Sequence, residues 1–93
     1  MNNEIKNKIA IVTGGSEGIG FAIANALSLK GAKVLIVSRN KKKLDIAKKK
    51  IKLKNSIIDY FIGDVSNKKT AEKVVNKCNK LWGSVDILIN NAG

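Results

Sequence analysis

Short apolar runs alternate along this chain with longer stretches in which apolar residues recur every three or four positions. The run Ile9-Ala10-Ile11-Val12, inside Lys8–Thr13, predicts a strand buried on both faces. Gly18–Lys30 follows with Ile19, Ala22, Ile23, Ala26 and Leu27 at helical spacing, which predicts a helix with those residues on its inner face. Gly31 stops it, as a glycine past a helix C-terminus does. Lys33–Ser38 reads as a second strand. The Lys41–Lys54 region reads as a second helix that turns Leu44, Ala47 and Ile51 inward. Ser56–Ile62 is a third strand. Lys68–Trp82 is a third helix, carrying Ala71, Val74, Val75, Cys78 and Trp82 in register and ended by Gly83. Val85–Asn90 is a fourth strand.

Four strands separated by three helices imply parallel pairing, because each connection is long enough for a crossover and too long for a hairpin. The expected fold class is α/β, a doubly wound parallel sheet of strand order 3-2-1-4, with residues 1–93 making one small domain at most. In such sheets ligands bind at the carboxyl ends of the strands, near the point where the order reverses. Four segments fall there: Gly14–Gly20, Ser38-Arg39, Asp64-Val65 and Asn90–Gly93.

Composition narrows the chemistry. There is no histidine and a single cysteine, so His-based acid–base catalysis, a Cys/His zinc site and an internal disulfide cannot be built from this inventory. Cys78 falls in the apolar series of the third helix and reads as a small core residue. No linker composition and no internal repeat is present. Residues 1–8 are polar and include Glu4, unlike a secretory signal. Every apolar run is far shorter than the ~20 residues that span a bilayer, so a cytoplasmic protein with no membrane partner is expected. The net charge is +11, from 17 lysines and one arginine against seven acids. Eight of the lysines lie in Lys41–Lys54, interleaved with Leu44, Ala47 and Ile51 and without aromatic platforms. That stretch reads as a solvated helix face, and no nucleic-acid partner is expected.

The densest chemistry lies in Thr13-Gly14-Gly15-Ser16-Glu17-Gly18-Ile19-Gly20. A buried strand runs there into a glycine-rich turn that opens a helix, which aims backbone N–H groups and the helix N-terminus at a pyrophosphate. The spacing is Gly14-x-x-x-Gly18-x-Gly20, distinct from G-x-G-x-x-G. Gly14 is assigned the tight exit from the strand, Gly18 the close approach of phosphates, and Gly20 the close seating of the helix on the sheet. Thr13 is expected to brace the turn and Ser16 to reach ribose or phosphate. The plain alternative is a strand–helix turn with incidental glycines.

Ser38-Arg39 bears on which dinucleotide is bound. A site for NAD places an acid at the end of the second strand, where it accepts from the ribose 2′-OH. Here Ser38 stands at that place, followed by the chain's sole arginine. A guanidinium grips a phosphate bidentately where an ammonium cannot. NADP(H) is therefore expected over NAD(H), against the alternative of an arginine that simply decorates a strand end.

Thr13–Gly20, Asp64-Val65 and Asn90-Asn91-Ala92-Gly93, in that order and at those intervals, resemble the short-chain dehydrogenase/reductase family over the whole chain. The resemblance implies a Rossmann-type sheet. The cofactor-binding set is then Gly14, Ser16, Glu17, Gly18, Ile19 and Gly20 on the first turn, Ser38 and Arg39 after the second strand, Asp64 and Val65 after the third, and Asn90, Asn91, Ala92 and Gly93 after the fourth. It implies an Asp64 carboxylate accepting from the adenine amino group with the Val65 backbone beside the ring. Asn90–Gly93 would brace the central sheet and border adenosine and ribose. Read without the family, Asp64 fits an Asx-turn and Asn90-Asn91 a polar loop. Many NADP-using members carry Lys or Arg where this chain has Glu17, and Lys41–Lys43 are expected to compensate.

The family's reaction is reversible hydride transfer between a nicotinamide dinucleotide and a carbonyl or hydroxyl carbon of a small molecule, in enzymes expected to be homo-oligomers. It draws on a serine and a Tyr-x-x-x-Lys beyond the fourth strand, the tyrosine serving as acid or base. The only tyrosine here is Tyr60, with Asp64 four positions on. It reads as strand packing, so no catalytic residue and no metal ligand is assigned. The expectation is an N-terminal cofactor half, truncated after the fourth strand and inactive alone. The alternative is a free-standing nucleotide-binding module without catalysis.

Overall fold

The computed structural model describes residues 4–51 and 56–91. Its elements are β1 (Ile9–Thr13), α1 (Gly18–Leu29), β2 (Lys33–Ser38), α2 (Lys41–Ile51), β3 (Ile57–Ile62), α3 (Lys68–Trp82) and β4 (Ile87–Asn90). The sheet order is β3-β2-β1-β4 with every pair parallel, as the alternation of strands and helices predicts. The register sets Thr13 beside Val37 and Asn90, and Ser38 beside Ile62. The carboxyl ends of all four strands therefore meet along one rim.

Alternate side chains of the strands feed two cores. Val12, Val34, Ile36 and Ile58 face α1 and α2, where Ala24, Leu44, Ala47 and Ile51 complete a buried cluster. Ile9, Ile11, Leu35 and Val37 face α3 and meet Val74 and Cys78. β1 and the middle of β2 are thus covered on both sides, which is why their sequences are unbroken apolar runs. Among the described residues no helix is long and apolar enough to cross a membrane.

The inner face of α1 differs from the one its large apolar residues predict. Gly20, Ala24 and Ser28 are buried, whereas Ile19 is 73% exposed and Ala22 and Ala26 are exposed. Ile23 and Leu27 pack at the flank. Small residues at i, i+4 and i+8 let the helix axis come close to the sheet, and that proximity leaves no room for branched side chains beneath it. On α3 the corresponding correction is Val75, which is 42% exposed while Val74 and Cys78 are buried. Both predicted glycine stops hold. Gly31 has φ 91° and donates to the Ser28 carbonyl at 3.0 Å, while Ala32 donates to that of Leu27 at 3.1 Å. Gly83 has φ 92° and donates to the Asn79 carbonyl at 2.8 Å.

β4 begins at Ile87, two residues later than predicted. Asp86 turns aside to serve β1: its N–H donates to the Ile9 carbonyl at 2.8 Å and its carboxylate accepts the Ile9 N–H at 2.9 Å. The starts of β1 and β3 and the end of α1 move by one residue, and the expected last turn of α2 lies outside the described residues.

The two edges of the sheet are unlike. On β3, Asp59 is approached by Lys48 from α2 at 3.6 Å and by Lys77 from α3 at 3.7 Å, and Lys77 also donates to the Tyr60 carbonyl at 2.8 Å. Cations from both helix layers thus straddle that strand. β4 carries no charged residue, and its Leu88 is 63% exposed.

Candidate functional site

The carboxyl ends of the strands open onto a cleft of about 710 Å³ whose walls include Gly14, Ser38, Arg39, Asp64, Val65 and Asn90. A shallower recess of about 660 Å³ adjoins it through Ser38 and Arg39 and is bounded by Glu17, Asn40 and Lys41–Lys43. Residues from four separate turns are therefore brought together as the strand order predicts. Ala92 and Gly93 lie outside the described residues.

The glycines of the first turn have distinct physical reasons. Gly14 has φ 65° and its N–H donates to the Val37 carbonyl at 2.8 Å, closing the strand exit. A Cβ on Gly20 would lie 2.0 Å from the Gly14 carbonyl oxygen and 2.7 Å from Asn91 Nδ2. Its close approach is thus to the turn and to the residue after β4, where the sheet was expected. Gly18, at φ 59°, has open space where a Cβ would stand. Gly15 was not singled out from the spacing, yet a Cβ there would come within 2.8 Å of Ile36. Two consecutive glycines are the sequence signal that marks it.

The helix N-termini also differ. Asn40 Oδ1 accepts the Lys43 N–H at 3.0 Å to cap α2, and Asn67 Oδ1 accepts from Lys69 and Thr70 to cap α3. Glu17 precedes α1 and makes no side-chain cap bond. The first N–H groups of α1 have no partner within the helix, and they carry the positive end of its dipole. A pyrophosphate fits this terminus, which is left uncapped beside a glycine with space above it.

Thr13 reaches the end of β4. Its hydroxyl accepts the Asn91 N–H at 2.9 Å and lies 3.1 Å from Asn90 Oδ1, to which it can donate. It ties the end of β1 to the end of β4, fixing Asn90 at the cleft wall and Asn91 just beyond it in the chain. Two further links join the first turn to the second: Ser16 Oγ donates to Ser38 Oγ at 3.2 Å, and Lys43 Nζ meets Glu17 Oε1 at 2.9 Å. The Ser16 hydroxyl, expected to reach ribose or phosphate, is engaged here with Ser38.

Asp64 forms the Asx-turn of its plainer reading. Oδ1 accepts the Ser66 N–H at 2.9 Å and its hydroxyl at 2.7 Å, while Oδ2 lies 3.9 Å from Arg39 Nη1. The Ser66 bonds, with the guanidinium beside them, hold this carboxyl below the usual carboxylate range. Arg39 is 80% exposed at its side chain and makes no hydrogen bond to Asp64 at that separation. Val65 packs toward α3 and Ile19 is exposed at the start of α1.

Tyr60 is a packing residue: its ring rests against the α1/α2 core with Lys48 Nζ 5.7 Å from its centre, and its hydroxyl donates to Asp45 at 2.5 Å. That bond to Asp45 pushes the phenol above its ordinary value of 10.0. Cys78 is buried, donates weakly to the Ser84 carbonyl at 3.5 Å, and has its thiol pushed up by burial.

A sequence profile of the short chain dehydrogenases matches residues 8–93. The chain belongs to that family. Its members are oxidoreductases that bind a nicotinamide dinucleotide and small-molecule substrates. An uncharacterized oxidoreductase of Staphylococcus saprophyticus is 37% identical over 91 residues, covering 97% of this chain and 39% of that protein. Tropinone reductase-like 3 of Erythroxylum coca is 37% identical over 92 residues, covering 99% of this chain and 36% of that one. The chain thus spans well under half the length of these relatives. Among solved structures, L-sorbose reductase from Gluconobacter frateurii, complexed with NADPH and L-sorbose, superposes with a TM-score of 0.93 at 35% identity over 100% of this chain and 36% of its own. A short chain dehydrogenase from Bacillus anthracis gives 0.90 at 38% identity over 96% and 36%.

Proposed function

We propose that this short-chain dehydrogenase chain holds the adenosine and pyrophosphate portion of NADP(H) for hydride transfer to or from a carbonyl or hydroxyl carbon. The observation that carries the choice of dinucleotide is Arg39, exposed and only loosely paired with Asp64 at 3.9 Å. It stands beside Ser38, where an NAD site would place an acid. When bound, the cofactor supplies or accepts the hydride at its nicotinamide. The residues here bind and orient. The α1 N-terminus and Gly18 receive the pyrophosphate, Arg39 the 2′-phosphate, and Asp64 and Val65 the adenine. Asn90 and Asn91, fixed through Thr13, border the ribose. The NADPH found with L-sorbose reductase supports the phosphorylated form.

The acid–base step is assigned to no residue of these 93, because Tyr60 is followed by Asp64 where Tyr-x-x-x-Lys requires lysine. NADPH is expected to bind ~10- to 150-fold more tightly than NADH, the range of a charge-assisted phosphate contact worth about 1.5–3 kcal/mol. Fluorescence titration of the chain with both, beside its Arg39→Leu variant, measures this. Equal affinities, or a preference untouched by Arg39→Leu, overturn the assignment. Purified chain with NADPH and a carbonyl substrate is expected to show binding without turnover, and sustained oxidation sensitive to Gly14→Val contradicts a purely holding role.

A further inference from the structure

Glu17 lines the recess beside Arg39, and a carboxylate there opposes a phosphate. Four cations border the same recess, Arg39 and Lys41–Lys43, and they are not equivalent. Lys41 is taken up by Asp45, one helical turn along α2, at 3.2 Å. Lys42 has no ion-pair partner among the described residues. Lys43 alone reaches across to the first turn and meets Glu17 at 2.9 Å. The local structure places it for this. Its N–H is fixed by the Asn40 cap at 3.0 Å, the Ser16–Ser38 hydroxyl pair at 3.2 Å holds the two turns together, and Glu17 is not occupied in capping α1.

We infer that Lys43 is a specificity-determining residue for the phosphorylated dinucleotide, acting by neutralising Glu17 at the mouth of the 2′-phosphate site. The inference rests on the reading of Arg39 given above. Of the three lysines at the start of α2, it singles out one. The ion pair is half exposed, 49% at Lys43 and 67% at Glu17, so its contribution to folding is small. Its consequence is for the local potential. With Lys43 in place an incoming phosphate meets a neutral pair, and without it a bare carboxylate. In partly screened surroundings one such charge beside a dianion changes affinity by about three- to tenfold.

The test uses the 93-residue chain and two probes that occupy only the adenosine end, adenosine 2′,5′-bisphosphate and adenosine 5′-monophosphate, titrated by calorimetry or NMR. The readout is the ratio of their affinities within each variant, which cancels any loss of folded protein. Lys43→Met is expected to lower the preference for the bisphosphate about three- to tenfold, and Glu17→Gln added to it to restore the preference. A loss that Glu17→Gln fails to restore, or no loss, overturns the role of Lys43. If Arg39→Leu collapses the ratio while Lys43→Met does not, the Arg39 reading stands and this inference falls. If the parent chain binds both probes equally, both fall.

Discussion

Replacing Gly20 with alanine sets two physical effects against each other, and the structure says which is larger. In an exposed helix interior the change stabilises by about 1 kcal/mol, the difference in intrinsic helix propensity. Here the added methyl would stand 2.0 Å from the Gly14 carbonyl oxygen and 2.7 Å from its carbon. Ordinary contact begins at 3.4 Å, a shortfall of 1.4 Å at the oxygen. The neighbour is backbone, pinned by the Gly14 N–H bond to Val37 at 2.8 Å, so it cannot swing aside as a side chain does. Overpacking of this kind costs ~3 kcal/mol at the upper end of its usual range. The net is a destabilisation of about 2 kcal/mol, or a fall in Tm of roughly 8–16 °C for a domain of this size. Urea and thermal unfolding followed by circular dichroism measure it. Gly18→Ala is the control, since there only the left-handed φ of 59° is strained and no atom is met; its cost is expected at ~1–2 kcal/mol. A Gly20→Ala chain within about 0.5 kcal/mol of the parent, or more stable, would refute the reasoning, because α1 would then have slack above the turn.

Thr13→Val removes the hydroxyl that joins β1 to Asn90 and Asn91; about 1 kcal/mol of stability should be lost in urea unfolding and largely kept by Thr13→Ser. Tyr60, the sole tyrosine, should titrate above 10.0 in the folded chain because its hydroxyl donates to Asp45, with Asp45→Asn bringing it down. A phenol raised on folding contributes stability that is complete below 10.0 and lost as pH rises through the raised value, so unfolding at alkaline pH should ease in the parent more than in Asp45→Asn. The 93-residue chain should self-associate through β4, whose edge is apolar and uncharged and whose Leu88 is 63% exposed. Sedimentation over a concentration series checks this, and a monomer throughout, or association untouched by Leu88→Lys, counts against it.

Strand order, parallel pairing and the convergence of four turns were legible in the sequence, because buried strands announce themselves as unbroken apolar runs and glycines as helix stops. The face of α1 was not. Hydrophobic spacing ranks Ile19 above Gly20 and Ala24, whereas a helix pressed against a sheet buries what is small. Thr13 stands at the cleft, but its tie to Asn90 and Asn91 spans most of the chain and leaves no local trace in the sequence. The Asp86 bonds to Ile9 and the Lys43 reach to Glu17 were invisible for the same reason: nothing in the spacing says which residues distant in sequence become neighbours. Asn40 and Asn67, by contrast, are ordinary N-cap residues and were readable in principle.

Lys48 and Lys77 put two cations at the β3 edge while β4 carries none, so edge-to-edge association is expected through β4 alone. A particle with one adhesive edge has a valence of one and stops at a closed pair. With two such edges it adds copies without end. The guard on β3 is electrostatic, and its charges are partly open to solvent, at 36% for each lysine and 29% for Asp59. Raising ionic strength toward 1 M shrinks the screening length to about 3 Å, loosening that guard while easing the repulsion between chains of charge +11. If the chain pairs through β4 as expected above, salt should change the topology of its assembly as well as the extent, from closed pairs at low ionic strength toward open ladders at high.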